Sequence, residues 1–302
     1  MPDSPHLSWG AQALWQQLSP LLPGLSVEVL ASVDSTNTRL LERARRSSGQ
    51  HDAPVTTPGE LEAVRDSAHL STPHGRRDGD TQPCLMVAEV QHHGRGRQGR
   101  SWQSGAHRSL TFSLALPLQP ANWSGLSLAV GLALAEALDP PAGDAPPRLG
   151  LKWPNDLWLL DAPGVGRKLG GILIETVAVG ERRMVVVGIG LNVLPQTPSA
   201  DLPGGFACLQ ELQADSAAPQ VLHRVALPLV RALQPFERDG FAPCVAAYRR
   251  RDLLFGQPVR TTQAGVPEGV AEGVDEQGAL RVRAGSLHRL VSGEVSVRPM
   301  AP

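Results

Sequence analysis

The sequence predicts an α+β protein in which a large domain is followed by a small all-β domain. Its 302 residues, 41% of them hydrophobic, are enough for one large domain and one small one. Strand-like and helix-like patterns both occur in the first part of the chain, whereas the stretch from about Gly256 contains only short strands separated by turn residues. We therefore expect a large domain at 1–252 and an SH3-like barrel at 253–302.

The first predicted elements are a strand, a helix and a polar insertion. Leu25–Val33 has the composition of a strand, and the short polar residues Asp34–Asn37 lead into a helix predicted at Thr38–Arg46. Residues 47–82 are rich in Ser, Pro, Gly, His and Asp, with one short helix predicted at 59–68. We expect this segment to be a mobile surface insertion.

The remaining elements are strands and two long helices. In the large domain, strands are predicted at Cys84–Val90, Leu110–Leu116, Leu149–Trp153, Leu169–Val177 and Met184–Ile189, and helices at Trp123–Leu138 and Val221–Arg251. In the small domain, strands are predicted at Pro258–Thr262, Gly269–Val274, Ala279–Ala284, Ser286–Leu290 and Glu294–Arg298. Asp275–Gly278 has the composition of a hairpin turn.

The composition indicates a soluble protein of a reducing compartment. The formal net charge of −1 argues against a general attraction to nucleic acid or to an anionic membrane. The three cysteines are widely spaced and odd in number, which argues against a disulfide framework and a zinc site. The N-terminal residues lack a signal-peptide pattern, and no apolar run is long enough to span a bilayer. We expect a cytoplasmic protein that binds neither nucleic acid nor membrane.

Gln91–Ser104 (QHHGRGRQGRSWQS) is the strongest single signal of a binding site. Arginines and glycines alternate in it: Arg95, Arg97 and Arg100 lie among Gly94, Gly96 and Gly99. The segment matches the spacing of a dinucleotide fingerprint, but a polar stretch rather than a helix follows, and the expected acidic residue is missing. Glycine permits close backbone approach and arginine grips carboxylates and phosphates, so we predict a loop that closes over an anionic ligand.

Two further motifs place lysines beside polar or glycine residues. The first, Lys152–Asp156 (KWPND), ends a predicted strand with a cation, and its Asn and Asp are equally typical of a simple turn. The second, Lys168–Glu175 (KLGGILIE), has two glycines inside a predicted strand, which are typical of close ligand approach or of a bulge.

Two other motifs end or begin an element with amide or hydroxyl side chains. Val187–Val193 (VGIGLNV) is an apolar strand ending in Asn192, whose donor and acceptor suit an adenine edge. Ser35–Asn37 is a helix cap whose free backbone N–H groups and hydroxyls also suit a small polar ligand. For both motifs a purely structural role stays open.

In this order, the five motifs resemble the biotin protein ligases, that is, the biotin–[acetyl-CoA-carboxylase] ligases. The resemblance runs from about Val33 to the C-terminal end, where Gly293–Ser296 takes part in it. It implies a catalytic domain with a mixed β-sheet and flanking helices, related to class II aminoacyl-tRNA synthetases and lipoate ligases, and a C-terminal SH3-like domain.

The resemblance also implies a reaction and its partners. Biotin would be activated by ATP, with Mg²⁺, as biotinyl-5′-AMP and transferred to a lysine of a biotin carboxyl carrier domain. The enzyme would be a monomer or a weak homodimer. About thirty residues before Val33 are too few for the DNA-binding module of the ligases that double as repressors, so we expect the single-function form.

The resemblance assigns roles to motif residues. The catalytic set would be Arg97, Lys168, Lys152 and Asp156. Biotin would be bound by Ser35, Thr36, Asn37, Gln91, Gly94, Arg95, Arg97, Lys168, Gly171 and Gly190. ATP would be bound by Arg97, Arg100, Trp102, Lys152, Asn155 and Asn192. The residues that hold the metal are not identified.

Two alternatives stay open at this point. A lipoate or octanoate ligase would share the fold, but the arginine-rich loop followed by Trp102 favours biotin over a long apolar tail. A biotin-sensing binding protein would not need Lys152 and Asn155. Within the loop, Gln98 stands where some relatives carry a further basic residue.

Overall fold

The structure is a computed structural model that describes residues 7–47, 81–105, 107–143, 145–162, 165–196, 205–291 and 297–299. The helices are α1 (Ala11–Leu18), α2 (Thr36–Ser47), α3 (Leu126–Leu138), α4 (Ala218–Asp239) and α5 (Val245–Arg249). The strands are β1 (Ser26–Val33), β2 (Cys84–Gln91), β3 (Ser109–Pro117), β4 (Leu149–Lys152), β5 (Asp156–Ala162), β6 (Val165–Val179), β7 (Arg182–Asn192), β8 (Pro258–Thr261), β9 (Glu268–Val274), β10 (Leu280–Ala284), β11 (Ser286–Leu290) and β12 (Val297–Pro299).

Most predicted elements are confirmed, and three differences have local causes. Helix α1 was not predicted, because it is short and its N-terminal Gly10 offers no side-chain cap. Strand β5 was also missed, because Asn155 and Asp156 were interpreted only as a turn, whereas Asp156 already pairs with Lys152 in a tight hairpin. The helix predicted at Val221–Arg251 is broken at Gly240, which has φ +65° and ends α4.

The predicted insertion at 47–82, with its helix at 59–68, falls almost entirely outside the described residues. No helix in the described part of the chain is long and apolar enough to cross a membrane. The chain forms two compact units, of which the first contains 1–119, 173–194 and 217–223, and the second contains 120–172, 195–216 and 224–302.

The first unit is built on a mixed sheet, as the resemblance implied. Strand β1 runs parallel to β2, while β2–β3 and β3–β7 are antiparallel pairs. Helix α2 packs on this sheet through a core formed by Leu40, Leu41, Ala44, Cys84, Met86, Ala115, Met184 and Val186. Below the helix, Arg43 makes two hydrogen bonds to the buried carboxylate of Glu28. Burial and the neighbouring Glu28 raise the pKa of the Cys84 thiol to about 12, so Cys84 stays protonated.

The second unit contains the antiparallel strands β4, β5 and the first half of β6, together with the small domain. In the small domain, five strands form one antiparallel sheet in the order β11-β10-β9-β8-β12, so the prediction of a small five-stranded sheet is confirmed. Of the predicted strand Glu294–Arg298, only 297 and 298 are among the described residues, and they lie in β12. The turn Asp275–Gly278 joins β9 to β10 as predicted, and the Asp275 side chain accepts hydrogen bonds from two backbone amides of the turn.

Trp153 anchors this turn within the second unit. Its ring is fully buried, and its Nε1 donates a 3.0 Å hydrogen bond to the carbonyl oxygen of Gly278. Gly278 has φ +75°, and a Cβ at this position would lie 2.6 Å from the Cα of Gly125. The turn can approach so closely because Gly278 lacks a side chain.

The segment Arg251–Leu253 covers the outer edge of β4. The amide of Leu151 donates to the carbonyl of Arg251, and the amide of Leu253 donates to the carbonyl of Leu151. The Arg251 guanidinium is buried, bonds the carbonyl of Leu149 and forms an ion pair with Asp139. Asp139 in turn accepts the amide of Leu149. The two outward-facing residues of this strand therefore have all their backbone groups paired.

The Gly278→Ala substitution tests the close approach of the turn. We expect it to lower the free energy of unfolding by about 2–4 kcal/mol. Ala is strained at a positive φ, and its Cβ would also collide with the backbone of Gly125. The measurement is urea denaturation followed by tryptophan fluorescence. Gly285→Ala is the matched control, since Gly285 also has φ +75° but has open space around its Cα. The control should cost about 1 kcal/mol, and equal losses in the two variants would contradict the packing argument.

Candidate functional site

The first unit brings together the helix cap, the end of β2 and the arginine–glycine loop. Ser35 is the cap of α2, where its Oγ accepts the amide of Thr38 at 3.4 Å. The amide of Thr36 donates to Oε1 of Gln91 at 2.8 Å, and the hydroxyl of Thr36 lies 3.1 Å from the same oxygen. The cap predicted at Ser35–Asn37 is therefore confirmed, and it is fixed to the last residue of β2.

Ser113 extends this contact into a buried hydrogen-bond network. Its hydroxyl lies 2.6 Å from the hydroxyl of Thr36 and donates to Oδ1 of Asn37, also at 2.6 Å. The amide nitrogen of Asn37 donates to Oε2 of Glu175 at 3.0 Å and to the carbonyl of Leu173. Thr36, Asn37 and Ser113 are all buried. Their polar atoms bond one another, so their orientations are fixed before any ligand binds.

The arginine–glycine loop forms a small arch. The amide of Trp102 donates to the carbonyl of Gly94 at 2.8 Å, and the amide of Gly96 donates to the carbonyl of Arg100 at 2.7 Å. Between these bonds lies a single 3₁₀ turn, Arg97–Gly99. The next element in the described part of the chain is strand β3, so the turn does not open an α-helix as a dinucleotide-binding turn would. Gln98 adopts φ 57° at the tip, a left-handed conformation that is uncommon for a residue other than glycine.

Two glycines let the base of the loop pack against its surroundings. A Cβ at Gly94 would lie 2.4 Å from the carbonyl oxygen of Trp102. A Cβ at Gly190, on β7, would lie 2.4 Å from the indole ring of Trp102. Trp102 therefore lies directly on bare backbone. Within the described residues, its buried Nε1 has no hydrogen-bond partner.

Arg95 leaves the loop and bridges two elements. One nitrogen of its guanidinium donates to Oε1 of Glu175, on β6, at 2.6 Å, and another donates to the hydroxyl of Thr38, on α2, at 3.1 Å. The side chains of Arg95 and Glu175 are 46% and 21% exposed. The ion pair is thus reached by water on one side.

At the end of β7, Asn192 is buried and pairs in register with Ser109 of β3. Gly188 lies in the same strand, and a Cβ there would lie 2.2 Å from Oδ1 of Asn37. Sequence reasoning selected Gly190 and passed over Gly188. The repeated glycine in the VGIGLNV motif is the signal that could have identified both.

The second unit brings together the lysines of the two lysine motifs and the carboxylate between them. The ammonium of Lys168 forms a 2.8 Å ion pair with Asp156, and both side chains lie at Gly171, where a Cβ would be 3.5 Å from each of them. The ammonium of Lys152 lies 5.4 Å from the ring centroid of Trp158, a cation–π distance. Cation and carboxylate thus meet beside bare backbone.

Asn155 has a structural contact in addition. Its side-chain nitrogen donates to the carbonyl of Ile172 at 2.8 Å, and the amide of Ile172 donates back to the carbonyl of Asn155. This pair of bonds holds the turn between β4 and β5 against β6.

A segment that sequence reasoning missed runs beside Lys168. The amide of Ala207 donates to the carbonyl of Lys168 at 2.9 Å, and Phe206 forms a bridge with the same lysine. The adjacent Arg167 binds the carboxylate of Glu211, and this hydrogen bond holds the pKa of Glu211 below its usual value. Glu211 also accepts the amide of Cys208. An arginine directly before the lysine was the available sequence signal.

The two groups of residues belong to different units, but both include part of β6. Gly171 and Lys168 lie in its first half, and Glu175 lies in its second half. Glu175 and Ser113 were not selected from the sequence. A serine in an otherwise buried apolar strand and a glutamate at the end of the KLGGILIE motif were the signals for them. Among the described residues, no three His, Cys, Asp or Glu side chains form a group that could hold a metal ion.

Comparison with known proteins identifies close similarities. A model described as the biotin/lipoate A/B protein ligase family matches residues 76–192, and one described as the biotin protein ligase C terminal domain matches residues 254–298. The chain is 34% identical over 280 residues to the bifunctional ligase/repressor BirA of Salmonella typhimurium, covering 90% of this chain and 74% of that protein.

Two further similarities extend over most of the chain. It is 32% identical over 293 residues to the biotin–[acetyl-CoA-carboxylase] ligase of Mycobacterium tuberculosis, covering 94% of this chain and 89% of that one. Among solved structures, the biotin protein ligase from Aquifex aeolicus in complex with biotin and ATP has a TM-score of 0.64 and 25% identity, with coverage of 91% and 99%.

Ser113→Ala tests the buried network. The substitution removes the donor to Asn37 and leaves buried oxygens unpaired, so we expect the free energy of unfolding to fall by about 1–3 kcal/mol. Urea denaturation at neutral pH measures it. Ser216→Ala is the control, because the hydroxyl of Ser216 donates to a carbonyl in an exposed position, where water can replace it. A loss no larger than that of the control would show that the network does not hold this region together.

Proposed function

Since this chain belongs to the biotin protein ligase family, we propose that it activates biotin with ATP and transfers the biotinyl group to a lysine of a biotin carboxyl carrier domain. The observation that carries the proposal is the match over 89% of a named biotin ligase. The five motifs lie at the start of α2, in the loop after β2, at the ends of β4 and β7, and within β6. The same relatives favour biotin over lipoate or octanoate as the substrate, and an enzyme over a sensor.

The reaction has two balanced steps. A carboxylate oxygen of biotin attacks the α-phosphorus of ATP, and pyrophosphate leaves, which gives biotinyl-5′-AMP. The amine of the carrier lysine then attacks the acyl carbon, AMP leaves, and the amine loses a proton. The first step brings a carboxylate to a polyanion, so cations that offset both charges are the main requirement.

We propose that the first unit supplies most of the biotin site. The fixed donors and acceptors of Ser35, Thr36, Asn37 and Gln91 suit the ureido ring, which both donates and accepts hydrogen bonds. Gly94 and Arg95 form a wall and a cover of the pocket, and Gly190 provides flat backbone. By the motif roles, Lys168 would bind the biotin carboxylate, and Gly171 would lie against the ligand. Lys168 would then exchange its partner Asp156 for the substrate.

The nucleotide side is proposed for the loop and the KWPND motif. Arg97 and Arg100 would bind phosphate oxygens, and Trp102 would pack near adenine. The motif resemblance also assigns Lys152, Asn155 and Asn192 to the ATP site, and they would complete it. The catalytic group would be Arg97, Lys168, Lys152 and Asp156, because they carry the charges that meet the reacting atoms.

Mg²⁺ is proposed as the metal activator that offsets phosphate charge. Mg²⁺ usually binds substrate phosphates together with one or two carboxylates rather than an all-protein cage. Asp156, a part-buried carboxylate, would be available for this role once its ion-pair partner Lys168 binds the biotin carboxylate. The same side chain could orient the incoming amine.

The cellular setting is also a proposal. The three cysteines Cys84, Cys208 and Cys244 are free thiols, which suits the cytoplasm. We propose a monomer or weak homodimer with a catalytic domain at 1–252 and an SH3-like domain at 253–302. Its protein partner would be the carrier domain of a biotin-dependent carboxylase, and neither nucleic acid nor membrane would be required.

The direct test is transfer of labelled biotin to a purified carrier domain. Label should appear on the carrier only with ATP, and a carrier in which the target lysine is replaced by arginine should stay unlabelled. A lipoyl domain with lipoate or octanoate serves as the second control. ATP-dependent labelling of that domain in place of the biotin carrier would overturn the proposal.

Arg97→Ala tests the loop. We expect biotin-dependent exchange of pyrophosphate into ATP to fall by about 10²-fold or more, because a preorganised cation at developing charge is lost. The melting temperature should change little. Arg182→Ala, at the start of β7 and outside the motifs, is the control. Wild-type exchange in the Arg97→Ala variant would contradict the assigned role.

A further inference from the structure

Glu175 is the carboxylate on β6 that holds both the loop and the helix cap. Its two oxygens have different partners: Oε1 accepts from Arg95 of the loop, and Oε2 accepts from Asn37 of the buried network. We propose that Glu175 is a positioning residue, which seats Arg95 and thereby the arginine–glycine loop over the ligand. This inference rests on the proposed function and specifies how the reactive adenylate is retained.

The geometry of Arg95 supports this role. Its guanidinium spans from Glu175 on β6 to Thr38 in the first turn of α2. The planar guanidinium can bind two acceptors at fixed directions, so this bridge sets the direction in which the loop leaves Gly94. The loop's own hydrogen bonds, from Trp102 to Gly94 and from Gly96 to Arg100, shape the arch but do not fix it to the sheet or the helix.

The pairing with Glu175 also gives Arg95 a different role from that of the other two arginines of the loop. The Glu175 carboxylate offsets the charge of Arg95 at 2.6 Å, so Arg95 contributes little net charge to an anionic ligand. The attraction for phosphate and carboxylate then falls to Arg97, Arg100 and the lysines. Arg95, held in place by Glu175, therefore covers the pocket sterically and does not attract an anionic ligand by its charge.

The strength of the pair suits a reversible closure. Arg95 is nearly half exposed, and ion pairs exposed to this extent contribute little to folding stability. Oε2 of Glu175 stays bonded to Asn37 if Arg95 leaves, so the buried network survives an open loop. Ligands can therefore enter and products can leave without disturbing the network that holds the cap.

The chemical consequence concerns water. Biotinyl-5′-AMP is a mixed anhydride, and water attacks its acyl carbon to give biotin and AMP if it reaches the intermediate. A seated loop excludes water until the carrier amine arrives. Loss of the Glu175–Arg95 pair should therefore raise the amount of AMP formed for each biotin transferred, with little change in biotin binding.

Glu175→Gln tests this, because it keeps the size and an acceptor for Asn37 but removes the charge that holds Arg95. Without carrier, we expect AMP formation from biotin and ATP to rise about 3- to 10-fold, and amide hydrogen exchange at 94–102 to rise by a similar factor, as expected for the loss of one partly exposed ion pair. The dissociation constant for biotin should stay within about 2-fold. The control is Glu272→Gln, which removes a similarly exposed ion pair with Arg283 in the small domain.

Arg95→Met tests AMP leakage and loop exchange from the loop side, and the double variant completes a cycle. The biotin dissociation constant is compared only for Glu175→Gln, because Arg95 is itself assigned to the biotin site. If the two residues act as one unit, the double variant should leak no more AMP than either single variant. The Arg95→Met variant still tests the proposal if Glu175→Gln folds poorly. Arg95 lies at the surface, and its replacement leaves the hydrogen bond between Glu175 and Asn37 in place.

The outcomes separate the two proposals. If wild-type protein forms no adenylate, the proposed function fails. If wild-type protein forms adenylate and transfers biotin, but Glu175→Gln and Arg95→Met leak no more AMP than Glu272→Gln and leave exchange at 94–102 unchanged, the positioning role is overturned while the proposed function stands.

Discussion

The first unit depends on one buried chain of hydrogen bonds that runs from Gln91 through Thr36, Ser113 and Asn37 to Glu175. Thr36 and Asn37 lie in the first turn of α2, and the other side chains come from separate strands. Apolar contacts are not directional, so only these hydrogen bonds can fix the orientation of the side chains. Buried polar atoms must be paired, so the helix cap, two neighbouring strands and β6 can adopt only positions that satisfy all of them at once. Glycine at position 188 is part of the same constraint, because any side chain there would displace Asn37.

In the second unit, the main constraint is on the charged turn at Lys152–Asp156, which is held in place from two sides. The KWPND motif lies between two anchors: Asn155 is bonded to Ile172 in both directions, and Trp153 is bonded to the turn at Gly278. The indole of Trp153 is fully buried, whereas Lys152, Asn155 and Asp156 are partly exposed. Within these five residues, the buried apolar pair Trp153–Pro154 therefore lies between polar residues that solvent can reach.

The sequence was sufficient for those features that depend on local pattern. Alternating or continuous apolar runs predicted most of the strands, and the turn at Asp275–Gly278 followed from its residue types. The helix cap at Ser35 was also predictable, because capping residues act within a few positions of themselves. The family resemblance added the motif roles, which remain predictions.

The features that the sequence did not reveal depend on contacts between distant positions. Ser113 and Glu175 are 62 positions apart, and although each stands out within its own strand, neither local pattern indicates that both contact Asn37. Likewise, Phe206 and Ala207 lie beside Lys168 through backbone contacts, next to the ion pair of Arg167 with Glu211, which spans 44 positions. The pairing of Arg95 with Glu175 has the same origin, so an arginine that looked like a ligand-binding cation is partly committed to the fold.

The cover on strand β4 bears on how the two predicted domains can be separated. Arg251 and Leu253 occupy the outward-facing backbone groups of Leu151, and Arg251 with Asp139 occupies those of Leu149. An uncovered strand edge is a template for pairing with other chains. The boundary that the sequence suggests, after Asp252, therefore passes through the segment that protects this edge. A fragment that ends at Asp252 would lose the bond from Leu253 to Leu151, and one that ends at 250 would also lose Arg251 and expose the whole edge of β4. Such fragments would be prone to aggregate, so the residues leading into the small domain also serve as part of the large one.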